Sequence, residues 1–392
     1  MKWMSMAMAT VVLCLLAGCN NNDDDAGPPA PAGPNVLPVS IGTSSVCTTI
    51  NVLCGSVTIC QPGTTNCQTI SDVLIDIGSV GLRVFGSVLS TSLTQSVDAQ
   101  GRPLGVCAFF ADGTATWGPV QIADVVLGGS LAVHVPIQVI TPTFGGQSVS
   151  ANPCNDVVDD DPQEASFNGI LGVGLFKEDC GPVCVSSGNN TLYFGCNAGS
   201  CTGVAVPLAD QVQNPVSLLP SGNNGLVLTL PNVPASGAPL VSGSLILGID
   251  TAANNTPPSG IAVLPTTASG FVTTVYKGVT FAQSIIDSGS NGLFFPDASL
   301  PDCAAPLDPF YCPTNPVNLS ATVIGLNGRQ ATVPFQVANT ERLVDSGNAV
   351  FNNLGGDFST FDWGLPFFLG RTVFVGIEGQ SSSLGTGPFF AF

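Results

Sequence analysis

The sequence predicts an all-β protein of two related lobes with a cleft between them, and three observations predict it. Short runs rich in Val, Ile, Thr and Leu are punctuated by 46 Gly and 31 Pro, with no sustained helical period and no heptads. One frame occurs twice, as "LIDIGSVGLRVF" (Leu74–Phe85) and "IIDSGSNGLFFP" (Ile285–Pro296). Aligned on Asp76 and Asp287, the copies share Ile, Asp, Gly, Ser, Gly and Leu in register. Each copy is followed downstream by two apolar residues and a glycine: Ile170-Leu171-Gly172 within "FNGILGVGLF", and Phe368-Leu369-Gly370 within "LPFFLGRTVF". A chain of 392 residues exceeds a typical domain, so duplication of one architecture is the economical reading.

The N-terminal segment precedes the fold. After Lys2, the run "MAMATVVLCLLAGC" is too short to span a bilayer and stands where a signal peptide stands, so residues 1–18 are expected to be removed. Leu16-Ala17-Gly18-Cys19 resembles the bacterial lipobox, which implies lipidation of Cys19 and attachment to a membrane that the chain does not cross. Asn20 after that cysteine fits release to the outer membrane. The stretch "NNNDDDAGPPAPAGP" has no apolar pattern, and residues 19–45 are read as the lipid-bearing cysteine and a flexible tether. The lobes are then expected at 46–211 and 212–392.

Beyond Cys19 lie twelve cysteines, an even number that implies up to six disulfides in an exported chain. Cys60–Cys67, Cys196–Cys201 and Cys303–Cys312 are plausible local pairs, although spacing leaves connectivity open. No metal site is expected, because His134 is the only histidine and exported thiols oxidise. No cofactor is expected either. A net charge of −18 leaves no basic surface for nucleic acid and serves solubility. The acidic clusters "NNDDD" and "DVVDDDPQE" lack the glycine spacing of a calcium loop and read as solvated. His134, in the alternating "LAVHVPIQV", reads as a packing residue, which disfavours serine–histidine chemistry.

Each copy of the frame reads as a strand entering a tight turn with aspartate at its end. Two carboxyls brought close together cannot both ionise, so they share one proton and offer a base and an acid at once. That pairing can deprotonate water and protonate a carbonyl without metal or nucleophile. Asp76 and Asp287 are the candidate catalytic pair. Gly78 and Gly289 let the backbone approach them, and Ser79 and Ser290 are placed to hydrogen-bond their outer oxygens, with Ser288 alongside.

These residues resemble the pepsin-like aspartic peptidases, in which each lobe supplies one Asp-Thr/Ser-Gly-Thr/Ser loop beside a threading apolar-apolar-Gly strand. The likeness runs from about Val57 to Phe392. "ADGTATWGPVQIADVVLGG" is similar to the flap hairpin, "SGSLILGID" to the stretch opening the second sheet, and "GLPFFLGRTVFVGIEGQ" to the C-terminal strand pair. More narrowly, the chain looks like a DUF3443-like branch of bacterial lipoproteins with no assigned function. The resemblance implies a monomeric, envelope-anchored endopeptidase that takes peptide or protein in the cleft, with Phe110, Asp112, Gly113 and Trp117 at the flap. The alternative is an inactive cleft that binds peptide or protein without cutting it.

Three departures bear on that choice. Ile77 stands where the family carries Thr or Ser, so one hydrogen bond that would cross between the loops is absent. The flap tyrosine has no counterpart among Phe109, Phe110 and Ala111. Arg371 follows Gly370 where Asp is frequent, either beside the dyad or at the surface. A third Asp-Ser-Gly, at Asp345 in "LVDSGNAVF", is too close to the C-terminus to open another lobe and reads as a turn.

Overall fold

The computed structural model describes residues 33–44, 46–146, 153–154, 157–197 and 199–392. The expected leader, the lipidated Cys19 and the tether as far as residue 32 lie outside the described residues. The end of the tether does not behave as expected. Val36–Ile41 is a strand, paired antiparallel with Val241–Leu247 over its full length. Its alternating "VLPVSI" buries Val36, Leu37, Val39 and Ile41, so it belongs to the fold.

The chain is all-β, with strands in sheets of 17, seven and two strands among the described residues. The backbone of the largest sheet is an antiparallel row that joins the two ends of the chain. From one edge it runs Val263–Pro265, Phe389–Ala391, Thr372–Gly376, Gly225–Thr229, Val241–Leu247, Val36–Ile41 and Cys54–Cys60. Both faces are covered, and the alternation of the strands shows how. Leu226, Leu228, Leu245, Leu247, Val373 and Val375 enter the main core on one face. Val227, Ile246 and Phe374 point the other way, into a second cluster with Val36 and Phe389. A strand buried on both faces must be apolar at consecutive positions, as "GLVLT" and "SLIL" are.

The same local arrangement carries Asp76 and Asp287. The strand Cys67–Asp76 ends at the turn, and Val80–Phe85 leaves it. Gly169–Val173 inserts between these two, parallel to the first with Gly172 opposite Asp76, and antiparallel to the second. In the second half, Val279–Ile286 and Leu293–Phe294 are separated in the same way by Asp362–Trp363. This corrects the expected role of Phe368-Leu369-Gly370. Leu365–Phe368 is instead a short helix with Pro366 in its first turn, and Gly370 follows it with a positive φ of 75°. The inserted triplet is Asp362-Trp363-Gly364. Glycine is required at its end because a Cβ on Gly364 would lie 2.0 Å from the Gly292 carbonyl oxygen.

Aromatic packing holds the inserted segment. Phe295 and Phe361 stack with centroids 5.0 Å apart, Trp363 lies 4.5 Å from Phe361, and its Nε1 donates to Thr274 Oγ1 at 3.0 Å. Such ring pairs add to the stabilisation from area burial and fix geometry.

All twelve cysteines beyond Cys19 are paired: Cys47–Cys54, Cys60–Cys67, Cys107–Cys154, Cys180–Cys184, Cys196–Cys201 and Cys303–Cys312. The three pairs anticipated from spacing are among them. Six disulfides mark an extracytoplasmic protein, and among the described residues no helix is long and apolar enough to cross a membrane. Alkylation of the native, unreduced protein is expected to label none of these twelve thiols, and reduction in denaturant to expose all of them. Free labelling of half or more before reduction would contradict the pairing.

Candidate active site

Asp76 and Asp287 meet, because each sits where a strand breaks into its turn beside the inserted segment. One backbone N–H serves both carboxyls: Gly78 donates to Asp76 Oδ1 at 2.8 Å and to Asp287 Oδ1 at 3.1 Å. The remaining contacts repeat across the pair. Gly289 N–H donates to Asp287 Oδ1 at 2.7 Å, and the Ser290 hydroxyl to Asp287 Oδ2 at 2.9 Å. On the other side, Ser79 donates its N–H to Asp76 Oδ1 at 3.1 Å and its hydroxyl to Asp76 Oδ2. Burial, then the charge of the neighbouring Asp287, push the Asp76 carboxyl well above its ordinary range. Two acids this close share one proton as a pair.

Ser288 ties the loops together. Its hydroxyl accepts from Ile77 N–H at 3.1 Å and donates to the Ile75 carbonyl at 2.7 Å. The Ile77 side chain, 2% exposed in the main core, carries no polar atom to return the bond. The crossing is therefore one-sided.

The pair lies on the floor of a cleft of about 440 Å³. Its apolar wall includes Val52, Leu74, Phe167, Ile170 and Phe294. Over it stands the hairpin of Leu104–Phe109 and Thr114–Leu127, whose tip supplies Phe110, Ala111 and Asp112. Asp112 fixes the tip by accepting from Thr114 N–H at 2.9 Å and its hydroxyl at 2.8 Å, and Gly113 takes the positive φ of 85° that the turn demands. Asp112, Asp159 and Glu164 make this rim acidic, and burial together with Asp112 raises the Asp159 carboxyl.

Three expectations need correction here, and the open placement of Arg371 is decided. Trp117 does not line the cleft. It is fully buried on the far side of the hairpin, 5.7 Å from the Phe144 ring and 5.8 Å from Phe194, because strand alternation turns it away from the dyad. Arg371 is not beside the dyad either: its guanidinium lies 4.9 Å from the Phe367 ring and donates to the Phe367 carbonyl. It lines a separate cavity with Asn232 and Gln336. His134 is exposed rather than packed, at φ 55° next to a break in strand register. Asp345 ends the helix Thr340–Asp345, exposed and not lining the cleft, rather than forming a simple turn.

The structure adds one residue that sequence reasoning missed. Asp362, 3% exposed, stands in the inserted segment next to Asp287. Burial, then the charge of Asp287, raise its carboxyl well above the usual range, with Asp76 adding to the effect and the Ser290 hydroxyl opposing it. The available signal was the glycine of "FDWG", which follows an apolar frame like that of "GILG"; a charged residue at an apolar place hid it.

These carboxyls set the pH response of the fold. Burial raises Asp76 and Asp362, and raises Asp179 despite Arg83, all above the ordinary 3.8. A raised group holds its proton more tightly in the folded chain. Its stabilisation is fully present below about pH 3.8 and is lost as pH rises through the raised value. Asp297 runs the other way: burial pushes it up, but hydrogen bonds from Tyr276, Lys277 and Ser299 hold it at about 2. Its contribution is present above 3.8 and is lost as pH falls towards 2. The melting temperature is therefore expected to peak in mild acid and to decline towards neutrality. A calorimetric series showing a steady rise from pH 4 to 8 would refute this ordering.

Fold and site together define a class: an extracytoplasmic, disulfide-bonded, all-β protein with two aspartates bridged by one backbone donor in a cleft. The chain belongs to the family described as "Protein of unknown function (DUF3443)", whose model matches residues 31–392. A comparison with curated proteins gave no match.

Proposed function

We propose that this protein is an aspartic endopeptidase of pepsin-like bilobal architecture, anchored to the bacterial envelope through Cys19 and cleaving extended peptides in the cleft. The observation that carries the reading is the Asp76–Asp287 pair, brought together and bridged by the Gly78 N–H. The repeated threading beside each aspartate supports the architecture, as does the row of strands shared by both ends of the chain. In this reading a water held between the carboxyls loses its proton to the ionised member and attacks the peptide carbonyl, while the protonated member donates to the carbonyl oxygen. The hairpin tip, with Phe110 and Asp112, closes over the bound chain. No metal or cofactor has a role in this mechanism.

The test is cleavage of a denatured protein mixture between pH 3 and 7, with and without a statine-type inhibitor. Inhibitable cleavage on the acid side is expected. Inactivity across the whole range would sink the peptidase reading in favour of a peptide-binding cleft, the alternative that the one-sided crossing at Ile77 favours. If the site works, Ile77→Thr is expected to raise kcat by up to roughly tenfold, the worth of one recovered hydrogen bond. A fall in kcat with unchanged folding would count against a missing crossing bond as the limit on activity.

A further inference from the structure

The loop closed by the Cys47–Cys54 disulfide sends successive residues to the two halves of the chain. Val52 and both cysteines pack beneath the cleft wall with Leu74 and Ile170, against Phe110 and Phe167. Ile50 packs instead with Leu343, Phe351 and Leu354 of the second half. Asn51 stands between them, fully buried, with a positive φ of 59°. Asparagine is one of the few residues that visits this left-handed backbone routinely.

The Asn51 side chain is hydrogen-bonded wholly to the second half. Its Nδ2 donates to the Asn291 carbonyl at 2.8 Å and to the Phe351 carbonyl at 2.9 Å. Its Oδ1 accepts from the Phe351 N–H at 2.8 Å. The Asn51 N–H adds a bond to the Ala349 carbonyl at 2.9 Å. An amide is required, because the site needs two donors and one acceptor from a single short side chain. Aspartate has no donor to offer, and glycine has neither donor nor acceptor there.

Asn291 is the link to the aspartates. It lines the cleft and directly follows Ser290, whose hydroxyl donates to Asp287 Oδ2 at 2.9 Å. The second aspartate loop is thus fastened to the first half at two points. One is Ser288, on the Ile75 and Ile77 backbones, and the other is Asn291, on Asn51. The first point is one-sided, because the Ile77 side chain has no hydroxyl.

We propose that Asn51 is a positioning residue of this site: by holding Asn291 it keeps the second aspartate loop against the first and makes up for the crossing bond that Ile77 cannot return. The kinetic consequences rest on the peptidase reading above; the fastening of the aspartate pair does not.

Asn51→Gly tests this, since glycine keeps the positive φ and the backbone N–H while removing three side-chain hydrogen bonds. It is expected to lose roughly 10- to 100-fold in kcat, as a displacement of about 1 Å would cause, with a smaller change in KM. Ile77→Thr is expected to recover a larger factor in the Asn51→Gly chain than it gains in the parent, because the two fastenings are coupled. Unchanged kcat in Asn51→Gly, or the same factor from Ile77→Thr in both chains, would overturn the proposal.

Carboxyl carbon NMR of aspartate-labelled protein reads the same point without activity. The later titration step of the Asp76–Asp287 pair, assigned by its absence in Asp76→Asn, is expected to move to lower pH in Asn51→Gly. Carboxyls held less closely perturb each other less. A lowered melting temperature with that step unmoved would mark Asn51 as a structural contact only and would also overturn the proposal. If the wild type cleaves nothing, the peptidase reading fails and this titration still decides the role of Asn51. If Asn51→Gly does not fold, the Cys47→Ser/Cys54→Ser variant frees the same loop with Asn51 intact. The same shift is expected there, and an unmoved step would count equally against the proposal.

Discussion

Asp287→Asn and Asp76→Asn are each expected to abolish cleavage, with losses of at least roughly 10³-fold at any pH between 3 and 7. The reason is the single shared proton. Asparagine nearly matches the shape and can still accept from Gly289 or Gly78, so the fold and cleft persist. It can neither take a proton from water nor give one to a carbonyl. Both variants should bind an extended inhibitor while failing to turn over substrate, which separates loss of chemistry from loss of fold. Cleavage that survives unchanged in Asp287→Asn would remove the aspartic mechanism, whatever the architecture. The two single variants should also be about as damaging as the double, because residues that act as one unit are not additive.

Gly78→Ala is expected to lose roughly 10² in activity, although it changes no chemical group. A Cβ there would lie 2.4 Å from Asp287 Cγ and 2.6 and 2.8 Å from its oxygens, far inside ordinary carbon contact distances of about 3.5–4.0 Å. Either Asp287 must swing away or the Gly78 backbone must retreat, and the Gly78 N–H is the donor common to both carboxyls. A displacement of about 1 Å is enough to cost roughly 10² in rate. The cost to stability is expected to be about 1–3 kcal/mol, typical of overpacking a tight site. Kinetics and a melting curve on the same sample check both parts. A fully active Gly78→Ala would mean that the carboxyls do not need this spacing to work.

How much of this was legible in the sequence depended on whether the signal was local. The Asp76 and Asp287 frames could be read because a strand end, a tight turn, a glycine and a serine all fall within a few residues. The hairpin tip at Phe110 and Asp112 was legible for the same reason. Trp117 was misplaced because a strand presents alternate residues to opposite faces, and a one-residue difference in phase decides between cleft and core. Val36–Ile41 is not legible as a strand in the sequence because its partner, Val241–Leu247, lies some two hundred residues away.

By itself, the sequence determined the class and the aspartate pair: an all-β, disulfide-rich chain with two aspartates in equivalent turns. Periodicity, turn chemistry and an even cysteine count are local or compositional, and survive without coordinates. Only the tertiary structure decided which segment threads beside Asp287. Two glycine-terminated candidates, "FDWG" and "FFLG", stand a few residues apart. What chooses between them is the close approach of Gly364 to Gly292 and the aromatic packing around Trp363, both contacts between distant parts of the chain. That choice brings Asp362 to the aspartate pair and leaves Arg371 outside, because parallel pairing between remote strands is fixed by packing that no short stretch of sequence contains.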